Sequence, residues 1–380
     1  MACRIVCRLW FLSCRQIESV TGLRAGDIFK TLQRDLSDER RLVDQIYFSK
    51  ATTRREMLRA ASFLMSGSAL AGFMPHALLA GAQAAAAGKA QTPSSGSPAD
   101  PVEQMKAQMA GVPLQTLKLR DNIQMLYGPG GNMVVLDGLD GKILVDSSFA
   151  SVAPKVKRAL DEISDTPFKM LINTHWHFDH TDGNVAMHQF GATILAHENT
   201  RKRLSTPQVT EFFNMHFPPS PAEALPRQTF TDSFKLYFDK EEISLAHFSP
   251  AHTDSDIYVH YQSSNVLHMG DTWFGGMYPF FDSSTGGKID GMIAAATRGI
   301  SLADDSTKIV PGHGPAGDKA ALTKYRDMLV AIRDRIKKQK DAGKTLKEVI
   351  AAKPTADFDA AWGAGFLMPD AFVTLVYTTL

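Results

Sequence analysis

The sequence predicts an α+β protein with layered β-sheets, and three observations lead to this class. Short apolar runs repeatedly end in polar loops, as buried strands do when they deliver a loop to the rim of a sheet. One β-rich half of the chain is followed by a second β-rich half. Stretches with apolar residues at helical spacing follow several of the strands. With 380 residues and a hydrophobic content of 44%, the chain can bury a sizeable core.

The most informative stretch is the histidine loop, which we define as residues 174–184. It follows a short apolar run and carries His175, His177, Asp179 and His180. In an extended or looped backbone the first two histidines can point the same way and reach one ion, while Asp179 and His180 turn toward a second position nearby. Imidazole and carboxylate are the ligands expected for zinc, with iron or manganese as alternative occupants. The loop therefore predicts a metal site.

Charge and cysteine content narrow the choice of partners and ligands. Residues 61–380 carry 29 Lys and Arg against 33 Asp and Glu without a basic stripe, which argues against a nucleic-acid partner. All three cysteines lie in the first 14 residues. If that segment is removed the protein has no thiol, so any metal must be held by nitrogen and oxygen atoms. A chain without thiols also tolerates an oxidising compartment.

Residues 53–84 are typical of a secretory signal of the twin-arginine type. Arg54 and Arg55 precede a short apolar run that ends near Met74, and small residues further along offer cleavage sites. The run is too short and too rich in Gly, Ser and Ala to span a bilayer comfortably. We therefore expect a periplasmic or secreted protein with no stable membrane insertion after the signal is removed.

The segments on either side of this signal are harder to interpret. Residues 1–52 form an uncertain N-terminal extension, because a signal ordinarily begins near the start of its chain. We hypothesise that translation starts later, for example at Val43, and that residues 1–42 are an artefact of the assigned start; recovery of Met1 by N-terminal sequencing of the precursor would refute this. Residues 85–113 are predicted to be a flexible linker, since they begin with a stretch of mostly Ala, Ser, Gly, Pro and Gln.

A domain is predicted over residues 114–340, and its first half alternates strands with helices. Strands are expected at residues 122–127, 133–136, 142–145, 170–172 and 193–196, and helices at 152–163 and 198–204. Pro154 fits the first turn of its helix. Thr181 or Asp182 is expected to cap the helix that follows the histidine loop.

In the second half, strands run into further loops that offer a histidine or an aspartate. These strands are expected at residues 235–238, 243–248, 257–261, 265–269 and 308–310. Three of the loops that follow them contain His252, Asp271 and His313. Since strand ends of a layered sheet protein converge on one rim, we expect these side chains to meet the histidine loop.

Residues 205–235 carry a less regular pattern. They contain several Phe and Pro, which fits either a lid over a pocket or a packed excursion; we favour the lid, because long loops are usually functional.

The last part of the chain is predicted to be helical. An apolar stripe predicts a helix over 318–340. Residues 341–380 are predicted to be a helical extension that packs on the domain, with helices at 345–352 and 369–377.

The whole pattern is His-x-His-x-Asp-His at 175–180, then His252, Asp271 and His313, with Asp146 at the end of an early strand. It resembles the metallo-β-lactamase superfamily over roughly residues 115–340. The resemblance implies an αββα sandwich of two mixed β-sheets with outer helices and a dinuclear site on one edge. The implied ligands are His175, His177 and His252 for the first metal, Asp179, His180 and His313 for the second, and Asp271 as the bridge between them.

The resemblance also implies a mechanism. Two divalent ions, expected to be Zn2+ with Fe or Mn as alternatives, lower the pKa of a shared water toward neutrality, and the resulting hydroxide attacks a carbonyl or phosphoryl centre. The metals stabilise the oxyanion that develops. Asp179 is the candidate catalytic residue, because it can hydrogen-bond the nucleophile and pass its proton to the leaving group. Asp146 is expected to orient an imidazole through its N–H group.

Asp271 separates reaction types within the family. Dinuclear class B β-lactamases generally lack a bridging carboxylate there, whereas hydroxyacylglutathione hydrolases, lactonases and related esterases have one. We therefore predict hydrolysis of an ester, lactone or thioester in a small molecule that has an apolar part. β-Lactam hydrolysis stays open, because the predicted export favours it.

Two other classes of function also stay open. Persulfide dioxygenases of the superfamily use one iron held by two histidines and one aspartate, and the presence of His180 and His313 argues against that reading. A non-catalytic metal-binding or partner-binding protein is the remaining alternative, and the complete ligand set argues against it.

The remaining histidines and a group of aromatic residues lie outside the predicted ligand set. Six histidines without paired ligands are expected to be structural: His188, His197, His216, His247, His260 and His268. Five aromatic residues after the bridging aspartate are expected to form an apolar substrate wall, with core packing as the alternative: Trp273, Phe274, Tyr278, Phe280 and Phe281.

Overall fold

Residues 101–380 are described by a computed structural model, and they form a sandwich of two mixed β-sheets with helices outside. The predicted α+β sandwich is thereby confirmed. The predicted extension over 1–52, the signal over 53–84 and most of the linker lie outside the described residues.

The first sheet has seven strands and belongs to the first half of the domain. The strands of this half are β1 (Gln115–Lys118), β2 (Ile123–Tyr127), β3 (Met133–Gly138), β4 (Gly141–Val145), β5 (Phe168–Ile172), β6 (Thr193–His197), β7 (Gln208–Thr210), β8 (Met215–Phe217) and β9 (Gln228–Phe230). The sheet order is β1-β2-β3-β4-β5-β6-β9, while β7 and β8 pair separately as an antiparallel hairpin. Strands β1 to β4 are antiparallel, and β4, β5, β6 and β9 are parallel.

The second sheet has five strands in simple chain order. They are β10 (Ser233–Phe238), β11 (Glu241–His247), β12 (Ile257–Tyr261), β13 (Val266–His268) and β14 (Lys308–Val310). The first four are antiparallel, and β14 joins β13 in parallel after a helical crossover.

The core lies in two layers, on either side of the first sheet. Strand β3 shows why, because its successive side chains point to opposite faces and its first four residues are all buried. Val134 and Leu136 pack with the second sheet, whereas Met133 and Val135 pack against helices on the outside. A strand that is apolar on both faces belongs in the middle of a layered fold.

Ten helices surround the sheets within residues 101–380. They are α1 (Pro101–Met109), α2 (Ala153–Ile163), α3 (Phe178–Thr181), α4 (Asn184–Gln189), α5 (Glu198–Leu204), α6 (Ile289–Leu302), α7 (Lys319–Asp341), α8 (Leu346–Ala351), α9 (Ala356–Trp362) and α10 (Pro369–Thr379). Pro154 lies in the first turn of α2 as predicted, and the Asp318 side chain caps α7. No helix of this part of the chain is both long and apolar enough to cross a membrane.

Some local predictions are wrong for identifiable reasons. The histidine loop is partly helical, because α3 occupies four of its residues. Neither predicted residue caps α4: the hydroxyl of Thr181 donates to the carbonyls of Trp176 and His177, and Asp182 accepts a hydrogen bond from Ala150 N. Helix α6 was not predicted, because small residues make up much of its buried side and leave no stripe of large apolar ones.

Helix α1 occupies residues that the sequence assigned to the flexible linker. Its Met109 is 1% exposed and packs in the core layer outside the first sheet. Helix α2 fixes the end of α1, since Lys155 Nζ donates to the carbonyls of Ala110 and Val112 at 2.8 and 2.6 Å. The segment is therefore part of the folded domain.

Because Met109 is buried, Met109→Ala should lower the free energy of unfolding by about 2 kcal/mol or more. Ala107→Ser on the exposed side of the same helix should change it by less than about 0.5 kcal/mol. Chemical denaturation of both variants measures the difference. Equal stability of the two variants would mean that residues 101–109 behave as a linker.

Candidate metal centre

The candidate site lies at one edge of the sandwich, where strands of both sheets end. Asp146 follows β4 and the histidine loop follows β5. His252 lies in the loop between β11 and β12, Asp271 follows β13, and His313 follows β14. Strands β4 and β5 are parallel in the first sheet and β13 and β14 are parallel in the second, and the loops that follow them meet at a common rim, as the sequence predicted.

The seven predicted ligands come together there in three overlapping groups. Within each group, the ligand atoms lie within 4.8 Å of one another: His175, His177 and His252; His175, His180 and Asp271; Asp179, His180 and His313. These are distances between the protein's own atoms.

Asp271 occupies the position between the groups. One of its carboxylate oxygens lies 3.1 Å from His180 Nε2. The other lies 3.4 Å from His252 Nε2 and 3.3 Å from His313 Nε2. Backbone at Gly312 comes close on this side, and a Cβ there would collide with the Asp271 carboxylate. A carboxylate that faces both sets of imidazoles is placed as a bridging ligand would be.

Asp146 fixes the orientation of His180. Its Oδ2 lies 2.8 Å from His180 Nδ1, and its Oδ1 accepts a hydrogen bond of 2.8 Å from Thr174 N. Asp146 is fully buried and adopts a left-handed backbone conformation with φ 62°. Such a conformation is uncommon for a residue other than glycine and is held only by its surroundings. The side chain thus contacts a predicted ligand through the imidazole N–H, as expected for an orienting residue.

His175 is oriented through the same carboxylate by way of Thr174. The Thr174 hydroxyl donates to Asp146 Oδ2 at 2.8 Å, and it lies 3.0 Å from His175 Nδ1. Because its one proton goes to the carboxylate, the hydroxyl can only accept from His175, so Nδ1 carries the hydrogen. This leaves Nε2 of His175 with a lone pair, and that buried atom has no hydrogen-bond partner among residues 101–380.

The two remaining predicted ligands of the first group contact the segment that follows Asp271. His252 Nδ1 lies 2.8 Å from the carbonyl oxygen of Phe280, which can only accept a hydrogen bond. His177 Nε2 lies 3.2 Å from Asp282 Oδ2. The opposite nitrogens, His252 Nε2 and His177 Nδ1, therefore face each other across 2.8 Å.

The orientation of these imidazoles fits a bound metal ion. Where two neutral imidazoles both donate outward, their facing nitrogens are both acceptors, and two acceptors at 2.8 Å cannot satisfy each other. Together with the unpaired nitrogen of His175, they form a buried set of three acceptors without a donor. A cation satisfies such a set, and nitrogen and oxygen donors suit zinc, iron and manganese.

The charge balance points the same way. Burial lowers the pKa of His175 well below its usual value and lowers that of His252 to about 4, so both imidazoles are neutral. Burial opposes charge on His180 and His313 too. Asp271 and Asp179 outweigh it, and they raise the pKa of His180 well above its usual value and that of His313 to about 9.

Both carboxylates stay ionised. Burial alone would raise the pKa of Asp271, but His313, His180 and His252 hold it well below the usual value. In the same way, His180 and His313 lower the pKa of Asp179 to about 2 despite its burial. The carboxylates therefore attract positive charge, and a divalent cation that binds here replaces imidazole protons.

The region predicted as a lid packs onto the histidine loop. Phe217 of β8 lies 5.8 Å from Trp176 and 5.1 Å from Phe178, measured between ring centroids. Thr210 at the end of β7 donates to Asp282 at 3.4 Å. The hairpin is thus packed, as one alternative held, and through Thr210 it contacts Asp282, which lies beside His177.

The expectation of a substrate wall after Asp271 is wrong for three of its five residues. Tyr278 and Phe281 are 0% exposed and Trp273 is 2% exposed, so they belong to the core and cannot line an open pocket. Phe274 stacks on His313 with ring centroids 5.3 Å apart. Phe280 is stacked on His177 at 6.1 Å and meets His252 edge-on at 5.8 Å.

Within residues 101–380, the six other histidines form no hydrogen bond with a member of the ligand groups. Two of them stack on each other, His197 and His247, with ring centroids 3.9 Å apart. His268 is buried beneath the site, where it lies 3.1 Å from the carbonyl of Asn132 and accepts a hydrogen bond from Gly270 N.

Sequence reasoning missed three groups that orient the ligands: Thr174, the Phe280 carbonyl and Asp282. The backbone carbonyl has no signature in the sequence. Asp282 lies in Asp-Ser-Ser, where it also accepts a hydrogen bond from Ser284 N as the cap of a short helical turn. That pattern predicts a turn and says nothing about the distant His177.

Comparisons with known proteins identify the family of the chain. A family model described as the metallo-beta-lactamase superfamily matches residues 126–335. The protein named Probable metallo-hydrolase from Methanocaldococcus jannaschii is 28% identical over 203 residues, which are 52% of this chain and 94% of that protein.

Solved structures resemble the fold at low sequence identity. The metallo-beta-lactamase from Pontibacter korlensis matches with a TM-score of 0.47 and 17% identity, over 57% of this chain and 99% of that one. The stereoselective inverting sec-alkylsulfatase from a Pseudomonas species matches with a TM-score of 0.53 and 15% identity, over 72% of this chain and 51% of that one.

The contact between Asp282 and His177 leads to a prediction about metal affinity. Asp282→Asn keeps the shape of the side chain but removes its charge, so it should weaken binding of the metal held with His177 about tenfold or more. Titration of the metal-free protein with zinc in competition with a chromophoric chelator measures this.

Asp290→Asn is the matched control, since Asp290 pairs with Arg333 at the surface, away from the site. The control should retain the affinity of the unmodified protein. Equal affinities for all three proteins would show that Asp282 only caps its turn.

Proposed function

The chain belongs to the metallo-β-lactamase superfamily and is a metal-dependent hydrolase, and on this premise we propose that it is an exported two-zinc enzyme that cleaves an ester, lactone or thioester. The substrate would be a small molecule with an apolar part. Water adds to the carbonyl carbon, the bond from that carbon to oxygen or sulfur breaks, and a proton passes to the leaving atom.

One observation carries the proposal: two sets of lone-pair donors share Asp271. His175, His177 and His252 form one set, and Asp179, His180 and His313 form the other. Zinc ions held there would supply Lewis acidity and lower the pKa of a bound water toward neutrality. The chain's part is to hold the donors in place through the hydrogen bonds of Asp146, Thr174, Phe280 and Asp282.

Asp179 supports the proposed proton transfer, because it is the carboxylate of the site with access from outside. Its side chain is 18% exposed, and that of its neighbour His313 is 20% exposed, whereas the Asp271 side chain is 4% exposed. The distance from Asp179 Oδ2 to His313 Nε2 is 3.1 Å. As an ionised group at the opening, Asp179 can accept a proton from the attacking water and return it to the leaving group.

The choice of an ester, lactone or thioester over a β-lactam as the substrate rests on Asp271. A bridging carboxylate at this position resembles hydroxyacylglutathione hydrolases and lactonases more than class B β-lactamases. A second candidate, β-lactam hydrolysis, draws support from the proposed export, because β-lactam targets lie outside the cytoplasm. The proposed use of all seven ligands speaks against a single-iron dioxygenase, which needs three.

The proposal predicts that the purified mature protein binds about two zinc ions per chain and hydrolyses a lactone, ester or thioester reporter. Metal analysis and a substrate panel that also contains a β-lactam and a persulfide measure this. Turnover of the β-lactam alone would favour the second candidate, and one tightly bound iron with oxygen consumption would refute hydrolysis.

A variant separates the bridging role from general loss of folding. Asp271→Asn should reduce zinc content and lower kcat by at least about a hundredfold, whereas Asp304→Asn, in a surface turn near β14, should leave both unchanged. Full activity of Asp271→Asn with two zinc ions bound would exclude a bridging role.

We propose export through the twin-arginine signal over residues 53–84. The double variant Arg54→Lys with Arg55→Lys should retain the precursor in the cytoplasm, because the receptor reads the arginine pair. Cell fractionation with N-terminal sequencing of the exported form measures this, and a mature N-terminus near residue 85 is expected. Export at the same level in both forms contradicts the assignment.

A further inference from the structure

An aromatic surface leads away from the candidate metal centre on the side of His177 and His252. We define it as the aromatic shelf, formed by Phe212, Phe213, Phe280 and Phe366. Phe280 lies against both histidines. Phe213 lies 4.8 Å from Phe280, and Phe366 lies 5.1 Å from Phe213, measured between ring centroids. Phe212 flanks Phe280 at 5.9 Å.

Three separate segments build this shelf. Phe212 and Phe213 lie in the turn of the β7–β8 hairpin, and Phe280 lies in the segment after the bridging aspartate. Phe366 lies in the turn between α9 and α10, within the C-terminal extension. A Cβ on Gly365 would collide with Met277, so the glycine lets this turn come close to the segment that holds Phe280. Aromatic rings from distant parts of the chain thus meet beside the ligands.

The outer end of the shelf is exposed, unlike the core. Phe366 is 37% exposed and Met368 is 61% exposed, whereas Phe280 is 6% exposed. In residues 101–380 only six large apolar side chains are exposed to this degree, and two of them lie in this one turn. Exposed apolar surface that continues into a functional site commonly marks the place where a ligand binds.

We infer that the aromatic shelf binds the acyl chain of the substrate, so that the enzyme prefers esters, lactones or thioesters of medium-chain or aryl-substituted acids. This inference rests on the proposed function. The carboxyl end of the substrate lies at the ligands, and the apolar chain follows Phe280 and Phe213 outward to Phe366. Burial of each methylene contributes about 0.8 kcal/mol, which corresponds to about a three- to fourfold gain in affinity.

The test uses the zinc-loaded protein and n-alkyl carboxylates, which are products of the proposed reaction. Dissociation constants of butanoate, hexanoate and octanoate are measured by calorimetry, and kcat/KM is measured for the matching p-nitrophenyl esters. In the unmodified protein, affinity and kcat/KM should both rise about three- to fourfold per methylene up to the length of the shelf. Phe366→Ala should flatten the dependence for the longest chain, with little effect on butanoate.

Two further variants keep the test specific. Phe366→Leu should restore part of the chain-length dependence, because it restores apolar volume. Leu139→Ala removes another exposed apolar side chain, 87% exposed in the turn between β3 and β4, and should match the unmodified protein. Sedimentation of all variants detects a competing role in self-association.

The outcomes separate the inference from the proposed function. Chain-length-dependent binding of the carboxylates without turnover of any ester, lactone or thioester would support the shelf and overturn the proposed activity. Ester turnover with the same chain-length dependence in Phe366→Ala and the unmodified protein would overturn the shelf alone. A change in oligomeric state with unchanged carboxylate binding would also overturn it, in favour of an interface between copies.

Discussion

The site depends on one constraint, which is that four of its five imidazoles must donate their outer N–H to fixed acceptors. Only then do the inner nitrogens converge as lone pairs. The acceptors for His175, His180, His252 and His177 are the Thr174 hydroxyl, Asp146, the Phe280 carbonyl and Asp282. Since unpaired buried acceptors are destabilising, their presence at the sheet edge lowers the free energy of unfolding of the protein when no cation is bound. Metal binding removes this destabilisation, so that metal affinity and stability are coupled.

The C-terminal extension supports the site indirectly, because it packs against the segment that supplies two of those acceptors, the Phe280 carbonyl and Asp282. Tyr278 N donates to the carbonyl of Trp362 at 2.9 Å, and its hydroxyl donates to Asp359 at 2.8 Å. Its ring stacks on Phe372 with centroids 4.7 Å apart. Tyr278 is thus anchored by α9 and α10, only two residues before the Phe280 carbonyl that orients His252. The extension stabilises ligand geometry without contacting the ligands.

The chemistry of the site could be predicted from the sequence because it depends on residue type and order. His175, Asp271 and His313 follow strands whose ends must meet, and the family resemblance that they carry is confirmed. The residues that orient the ligands could not be predicted, since Asp282 and the Phe280 carbonyl reach their histidines only through tertiary folding. Helix α6 was missed because its Ala and Gly residues hide the apolar periodicity on which such predictions rest. Helix α1 was missed because only Val102 and Met109 of its nine residues are buried, which is too few to form a visible stripe.

Phe280 has two separate roles, and its double role limits the positions at which substrate preference can change without affecting metal binding. Its backbone carbonyl orients His252, while its ring begins the aromatic shelf. A substitution at Phe280 that moves the backbone therefore disturbs metal binding and recognition together. Phe213 contacts Phe280 and Phe366, and the two outer residues Phe213 and Phe366 lie on the hairpin and the C-terminal extension. Changes in substrate preference are least costly at those two positions, because the sheet edge that holds the ligands stays unaltered.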